Sequence, residues 1–335
     1  MRYRTLGSTE LSAAPIGLGC MGMSWAYSAS QRDDDQSIEL LRSAPEQGVT
    51  LLDTANVYGD GHNETLIGRA FADRRDEVLL ATKCGVVVDD PATHAMHRDG
   101  SPAQVRRAVD ASLRRLRTDV IDLYYLHRVD PSVPLEDTWG AMAELVAEGK
   151  VRHLGLSEVS VEQAERAHHL HPVTAIQSEL SLWSRDSQGI GGAPVQDPSG
   201  VISTASGDIV GWCADHGAAF VAFSPLGRGF LTATVSSTEF ETNDFRAQNP
   251  RFQPEALAAN QRIVDVVQRV AQRHQATPAQ VAIAWTLAQG THVFSIPGTK
   301  KARYLADNVA AAELELTAED LRELDNVPEA VGSRY

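Results

Sequence analysis

Eight short apolar runs recur along the chain with a helical stretch between most of them, and this rhythm limits the fold more than any single residue does. The runs are 16–19, 49–52, 78–82, 120–126, 151–156, 173–177, 219–223 and 292–296. Between them, 34–47, 64–74, 101–117, 134–148, 160–171, 209–216, 255–274 and 277–289 read as helices, with helical tails at 301–311 and 317–325. Their ends carry local signals. Ser101-Pro102 is a capping serine before a proline at the first helical position, and Gly48 and Gly149 stand where helices close. Residues 2–12 read as a small hairpin around Gly7. Strands alternating with helices imply a parallel sheet covered by helices. Both an open doubly wound sheet and a closed (β/α)8 TIM barrel meet that description. Eight units with no linker, no repeated motif and no domain boundary favour the barrel, as one domain spanning 1–335.

Function shows first at the ends of the strands. VTLLDTANVYG (49–59), EVLLATK (77–83) and DLYYLHR (122–128) each end an apolar run in side chains capable of acid–base chemistry: Asp53, Tyr58, Lys83 and His127. Parallel α/β sheets and barrels build their active sites at that end. Taken singly, Asp53 could cap a helix, Tyr58 could be a rim aromatic and His127 a buried hydrogen-bonding group. At successive strand ends, a tyrosine, lysine, aspartate and histidine form a device for giving a proton to a carbonyl oxygen.

Charge and cysteine content narrow the partners. Thirty Lys and Arg against 44 Asp and Glu give a formal net charge of −14, which disfavours nucleic acid and anionic membranes. An anionic ligand then needs a local basic pocket. Cys20, Cys84 and Cys213 are odd in number and lack metal spacing, in keeping with a reducing, cytoplasmic setting. MRYRTLGSTELS has no apolar core of a signal peptide, and no run approaches 18 apolar residues.

Gly17, Gly19 and Gly22 satisfy G-x-G-x-x-G literally. The dinucleotide fingerprint also needs a helix opening on the motif and an acid about 20 residues on. Here MSWAYSAS follows, and the next strand ends at Asp53, 31 residues after Gly22. Glycines turning the chain at a barrel rim explain the motif better.

D-T-A-x-x-Y-G at 53–59, L-L-A-T-K at 79–83, Y-Y-L-H at 124–127, G-L-S at 155–157, S-P-L-G-R-G at 224–229 and I-P-G-T-K at 296–300 occur in the order found in aldo-keto reductases, and the chain resembles that family from residue 5 to about 325. The resemblance implies a (β/α)8 barrel that uses NADPH/NADP+ to reduce aldehydes and ketones. Beside it stands a chemical argument. Hydride addition leaves negative charge on the carbonyl oxygen, so a proton donor must sit there. A phenol with a pKa of ~10 is a weak acid at neutral pH, and a neighbouring ammonium lowers that value. Lys83 would do this for Tyr58, Asp53 would keep the lysine charged and oriented, and His127 would align the substrate oxygen.

By resemblance, Ser157 and Gln177 hold the nicotinamide carboxamide and Phe223 stacks on the ring. Ser224, Leu226, Gly227, Arg228 and Gly229 form a pyrophosphate loop, and Gly298, Thr299 and Lys300 a 2′-phosphate pocket, with Asp307 and Asn308 facing adenine. Glu158 stands where many relatives carry asparagine, and Arg303 is a second basic candidate. A regulatory NADP(H)-binding subunit and a non-redox barrel lyase are the alternative functions.

Three features carry less chemistry than their composition suggests. His168, His169 and His171 lie at a helix end, where histidines meet terminal carbonyls, and no metal site is expected there. His94 and His97 lie in a polar loop without evident carboxylate partners. Cys84 reads as a small buried hydrophobe beside Lys83. Residues 187–207, with five Gly, four Ser and two Pro in 21 positions, look like a flexible insertion after the sixth strand, either a lid or a surface excursion. The oligomeric state and the identity of the carbonyl substrate are not written in the sequence.

Overall fold

Eight parallel strands lie side by side in chain order: β1 (Leu18–Gly19), β2 (Leu51–Asp53), β3 (Leu79–Cys84), β4 (Ile121–Leu126), β5 (Val151–Ser157), β6 (Ala175–Glu179), β7 (Ala219–Phe223) and β8 (Val293–Ser295). This is the computed structural model of the protein; it describes residues 2–335 except 92, 94, 192–194, 197–201, 204–206 and 236–238. Every crossover carries helix. In order these are α1 (Asp34–Ser43), α2 (His62–Ala70), α3 (Pro102–Leu116), α4 (Leu135–Ala147), α5 (Val161–Leu170), α6 (Ile209–Asp215), and α7 (Pro254–Arg273) with α8 (Pro278–Leu287); α9 (Ala302–Ala310) and α10 (Ala318–Asp325) follow β8. The architecture is the (β/α)8 barrel that the alternation predicts.

Closure comes from the glycine motif. The Gly17 N–H donates to Ser295 O and the Ser295 N–H to Pro15 O, both at 2.8 Å, and Gly19 bridges Gly298 in parallel. A methyl group on Gly19 would lie 2.7 Å from Ile296 O, so a side chain there would push β1 away from the segment after β8. These glycines close a barrel.

The alternation of side chains along a strand decides what faces inward. Leu51, Ala81, Leu123, Tyr125, Ala175, Ala219, Val221 and Phe294 fill the barrel interior. The antiparallel pair Arg4–Thr5 and Ser12–Ala13 brings Leu6, Leu11 and Ala13 into the same cluster. Their neighbours in sequence, such as Leu52, Leu80, Tyr124, Ile176 and Phe220, face outward onto the helices. On α7, Ile263, Val264, Val267, Val270 and Ala271 form the buried stripe, each branched side chain contributing about 1.5–3 kcal/mol by leaving water. The predicted cap at Ser101 is present, its hydroxyl accepting from the Gln104 N–H, and α5 and α8 open with capping boxes, Ser160 with Gln163 and Thr277 with Gln280.

Two local expectations differ from the structure. Val86–Asp90 pairs antiparallel with Ala95–Arg98 in place of a plain loop, and His97 Nδ1 lies 2.7 Å from Asp89 Oδ1, so His97 does have a carboxylate partner. His94 lies outside the described residues. The insertion carries a small antiparallel ladder, Val195–Gln196 with Ile202–Ser203, and is anchored at its start by Ser187, whose hydroxyl donates to Glu179 O. The expectation of flexibility falls largely on residues outside the described set. Among the described residues no helix is long and apolar enough to cross a membrane.

Candidate active site

The parity that puts Leu51 and Ala81 inside the barrel also puts Asp53 and Lys83 there, one step nearer the C-terminal rim. In register, Asp53 faces Ala81, so Lys83 stands two residues beyond it on the same face. Lys83 Nζ donates to Asp53 Oδ1 at 2.6 Å and to Thr54 O at 2.7 Å, with the lysine 1% and the aspartate 4% exposed. Gln177, inward-facing on β6, donates from Nε2 to Asp53 Oδ2 at 2.6 Å. Both carboxylate oxygens are therefore held, which fixes the lysine's orientation.

Tyr58 lies in the turn between β2 and α2, its ring centroid 5.3 Å from Lys83 Nζ. Trp25 stacks beside it at 6.0 Å, and His127, just after β4, meets it edge-on at 6.0 Å. The His127 N–H donates to Cys84 O, tying β4 to β3 at this rim. His127 Nδ1 is buried and makes no hydrogen bond. The four predicted residues thus form one cluster.

Burial governs its electrostatics. It works against the Lys83 ammonium, but Asp53 and then Tyr58 outweigh it, and the lysine's pKa lies above its ordinary value. For Tyr58 burial is the larger influence; Lys83 pulls the other way without winning, so the phenol lies above its usual 10. The lowering by an ammonium argued from the sequence is present but smaller than desolvation. Burial, with Arg128 and Lys83 nearby, puts His127 well below 6.5, so its imidazole is neutral at neutral pH. The arrangement has a protonated phenol, a charged lysine and an imidazole free to hydrogen-bond. A cavity of about 230 Å³ adjoins it, with Trp25, Val57, Val88 and Met96 among its apolar walls.

The residues assigned to a cofactor lie on the neighbouring arc of the rim. Ser157 ends β5 in register with Gln177 on β6, and Phe223 ends β7 opposite Glu179. From Ser224 the chain enters left-handed conformation repeatedly, with φ of 51° at Ser224, 56° at Gly227, 55° at Arg228 and 97° at Gly229, while Leu226 starts the turn as its cap. A methyl on Gly227 would also lie 2.8 Å from Trp183 Nε1. Turns of this kind gather backbone N–H groups into a concave anion site. The Arg228 guanidinium faces the protein instead: it donates to Glu179 Oε2 at 3.1 Å and to Arg334 O at 2.6 Å.

Gly298, Thr299 and Lys300 follow β8 where it meets β1. Thr299 Oγ1 accepts from the Lys301 N–H ahead of α9, and Lys300 Nζ donates to Ser28 O at 3.3 Å. Partial burial and the nearby Arg32 lower the Lys300 pKa. On α9, Asn308 is buried and Asp307 half-buried. Arg303 donates to Tyr304 Oη on the exposed face. His168 Nδ1 accepts from the Val173 N–H, not the contact with a terminal carbonyl expected of a helix-end histidine, and its ring packs edge-on against Trp212.

The sequence reading missed Trp25 and Arg128. Arg128 Nη1 donates to His127 O at 2.6 Å and to Ser157 Oγ at 3.3 Å, bracing the two halves of the rim. Its position next to His127 was the available signal.

The model of the aldo/keto reductase family matches residues 15–329, and the chain belongs to that family. It is 40% identical over 334 residues to a probable aldo-keto reductase 1 of Glycine max, covering 98% of this chain and 90% of that protein. The solved glycerol dehydrogenase of Gluconobacter oxydans superposes with a TM-score of 0.84 at 28% identity, over 97% of this chain and 94% of its own. The holo form of an aldo-keto reductase from Bacillus halodurans shares the fold, with a TM-score of 0.76 at 24% identity over 99% and 98% of the two chains. Membership makes the protein an oxidoreductase of the nicotinamide-dependent, carbonyl-reducing kind.

Proposed function

We propose that the protein reduces an aldehyde or ketone to an alcohol with NADPH as reductant, Tyr58 giving the proton. The observation that carries this reading is the buried chain Asp53–Lys83–Tyr58, ending beside a His127 Nδ1 that has no hydrogen-bond partner. A buried donor or acceptor left unpaired costs about 1–3 kcal/mol, and a carbonyl oxygen accepting a hydrogen bond from the neutral imidazole offsets that cost.

The residues fit a dinucleotide. The left-handed turn at 224–229 suits a pyrophosphate, Phe223 offers an aromatic face, and Ser157 and Gln177 stand in register beneath it. When bound, the cofactor supplies a hydride to the carbonyl carbon. Lys83 stabilises the phenolate as the Tyr58 proton moves to the substrate oxygen. Asp53 and Gln177 keep the lysine charged and aimed, and neutral His127 orients the carbonyl. Lys300, with Gly298 and Thr299, selects the 2′-phosphate, and Asp307 and Asn308 border the adenine.

NADPH oxidation measured against a panel of aldehydes and ketones tests class and substrate together. The likeness to a glycerol dehydrogenase adds polyols with NADP+ as the reverse arm. Binding of NADPH without turnover on any member of the panel would favour a regulatory subunit, and no binding of either cofactor would remove the redox reading.

A further inference from the structure

Directly behind Ser157 lies a buried ionic network that joins distant parts of the chain. Glu158 is held in left-handed conformation, φ 53°, and is 6% exposed. Its Oε2 accepts from Arg334 Nη2 at 2.7 Å; its Oε1 accepts from the Glu179 N–H at 2.9 Å and from Arg334 Nη1 at 3.3 Å. Glu179, at the end of β6 and 1% exposed, accepts from Ser184 Oγ on one oxygen and from Arg228 on the other, with Arg334 Nη1 3.6 Å away. Arg334 Nε lies 3.1 Å from Asp186 Oδ2, an ion pair without hydrogen-bond alignment. The Arg334 backbone is anchored as well, its carbonyl accepting from Arg228 Nη1 and from Asn249 Nδ2 at 2.7 Å, while Arg251 Nε holds Gly332 O at 3.1 Å.

Of the two almost dry carboxylates at the ends of β5 and β6, Glu179 has Arg228 as a partner, whereas Glu158 without Arg334 would place uncompensated negative charge beside the arc assigned to the nicotinamide. The oxidised ring carries a positive charge and the reduced ring none, so charge at that place discriminates between them. We propose that Arg334 sets this discrimination: by neutralising Glu158 and sharing Glu179, it keeps the site from favouring the oxidised cofactor, and so supports release of oxidised cofactor after reduction. Arg334 is a positioning and electrostatic residue that acts through Glu158, not a group that touches substrate. The inference rests on the proposed placement of the nicotinamide against Ser157.

The test is direct titration of NADPH and of NADP+ onto the wild-type protein, Arg334→Met, Arg334→Lys and Glu158→Gln, with the ratio of the two dissociation constants as readout. Arg334→Met, which leaves a net negative charge, should tighten NADP+ relative to NADPH by about tenfold, the scale of a unit charge about 12 Å away at an effective dielectric constant of about 20. Glu158→Gln keeps the side-chain shape and the Arg334–Glu179 approach, and should move the ratio the opposite way. Arg334→Lys and the double variant Glu158→Gln/Arg334→Met should lie near wild type. Glu158→Gln carries the test if Arg334→Met does not fold. General structural damage weakens both cofactors together. If Arg334→Met or Glu158→Gln does so with the ratio changed by less than about threefold, the inference falls. A wild-type protein that binds both cofactors, with variants of unchanged ratio, overturns this inference alone. A wild-type protein that binds neither overturns the functional reading beneath it as well.

Discussion

Lys83→Met separates the chemistry of the site from its stability. Lys83 is nearly isosteric with methionine, fully buried, and bonded to Asp53 Oδ1 and Thr54 O. Removing one partner of a buried ion pair costs about 3–5 kcal/mol, because the other charge stays buried without compensation. Gln177 still donates to Asp53 Oδ2, which places the expected loss near the lower end, about 3 kcal/mol. A chain of 335 residues has an unfolding entropy of about 0.7 kcal/mol/K, so the midpoint should fall by about 4 °C. Turnover should fall by ~10²–10⁴-fold, the worth of a positioned acid whose phenolate has lost its stabilising cation. Asp53→Asn/Lys83→Met removes the stranded charge and should recover most of the midpoint while recovering none of the rate. Thermal melts and carbonyl reduction at saturating NADPH, measured on all three proteins, read both effects. A double variant no more stable than Lys83→Met would refute the pairing argument. A single variant that kept kcat within about tenfold of wild type would refute the catalytic one.

Tyr58→Phe should abolish most reduction with NADPH affinity nearly unchanged, since the phenol acts on the substrate; cofactor titration beside turnover checks this, and a retained kcat would take the proton from Tyr58. Lys300→Met should weaken NADPH by roughly ten- to hundredfold and leave NADH nearly unaffected, the worth of a charged hydrogen bond to the extra phosphate; equal loss of both cofactors would move the 2′-phosphate pocket elsewhere. The pH profile follows from burial. Tyr58 must be protonated to act and its pKa is raised, so activity should be lost only on the alkaline side, above the usual phenol value of 10. His127 is already neutral because its pKa is lowered well below 6.5, so kcat/KM for the carbonyl should be flat across neutrality. A titration limb near neutrality that disappears in His127→Gln would show that histidine charging, not phenol ionisation, controls the rate.

What the sequence could show depends on whether backbone geometry alone settled the matter. Strand parity did so for Asp53, Lys83 and Gln177: once an apolar run is a barrel strand, the residue two beyond an inward leucine or alanine must also face inward. The pairing of Val86–Asp90 with Ala95–Arg98 escaped because only its first strand carries an apolar run: Val86, Val87 and Val88 lie opposite Arg98, His97 and Met96, and the second strand has no apolar pattern of its own. The direction of the Tyr58 shift escaped for another reason. A lysine near a tyrosine is visible in sequence, but the desolvation that outweighs it depends on how Trp25 and His127 close over the ring. Arg228 shows how charge can mislead. A cation in a glycine-rich loop invites an anion, yet Glu179 on β6 has already taken it. Glu158 is the converse case, an acid in a position where a neutral amide would be easier to place, made tolerable by an arginine 176 residues further along the chain. The barrel brings these charges together through tertiary contacts that no local spacing encodes. Their pairing therefore leaves no mark on the strand ends where Asp53, Lys83 and His127 stand.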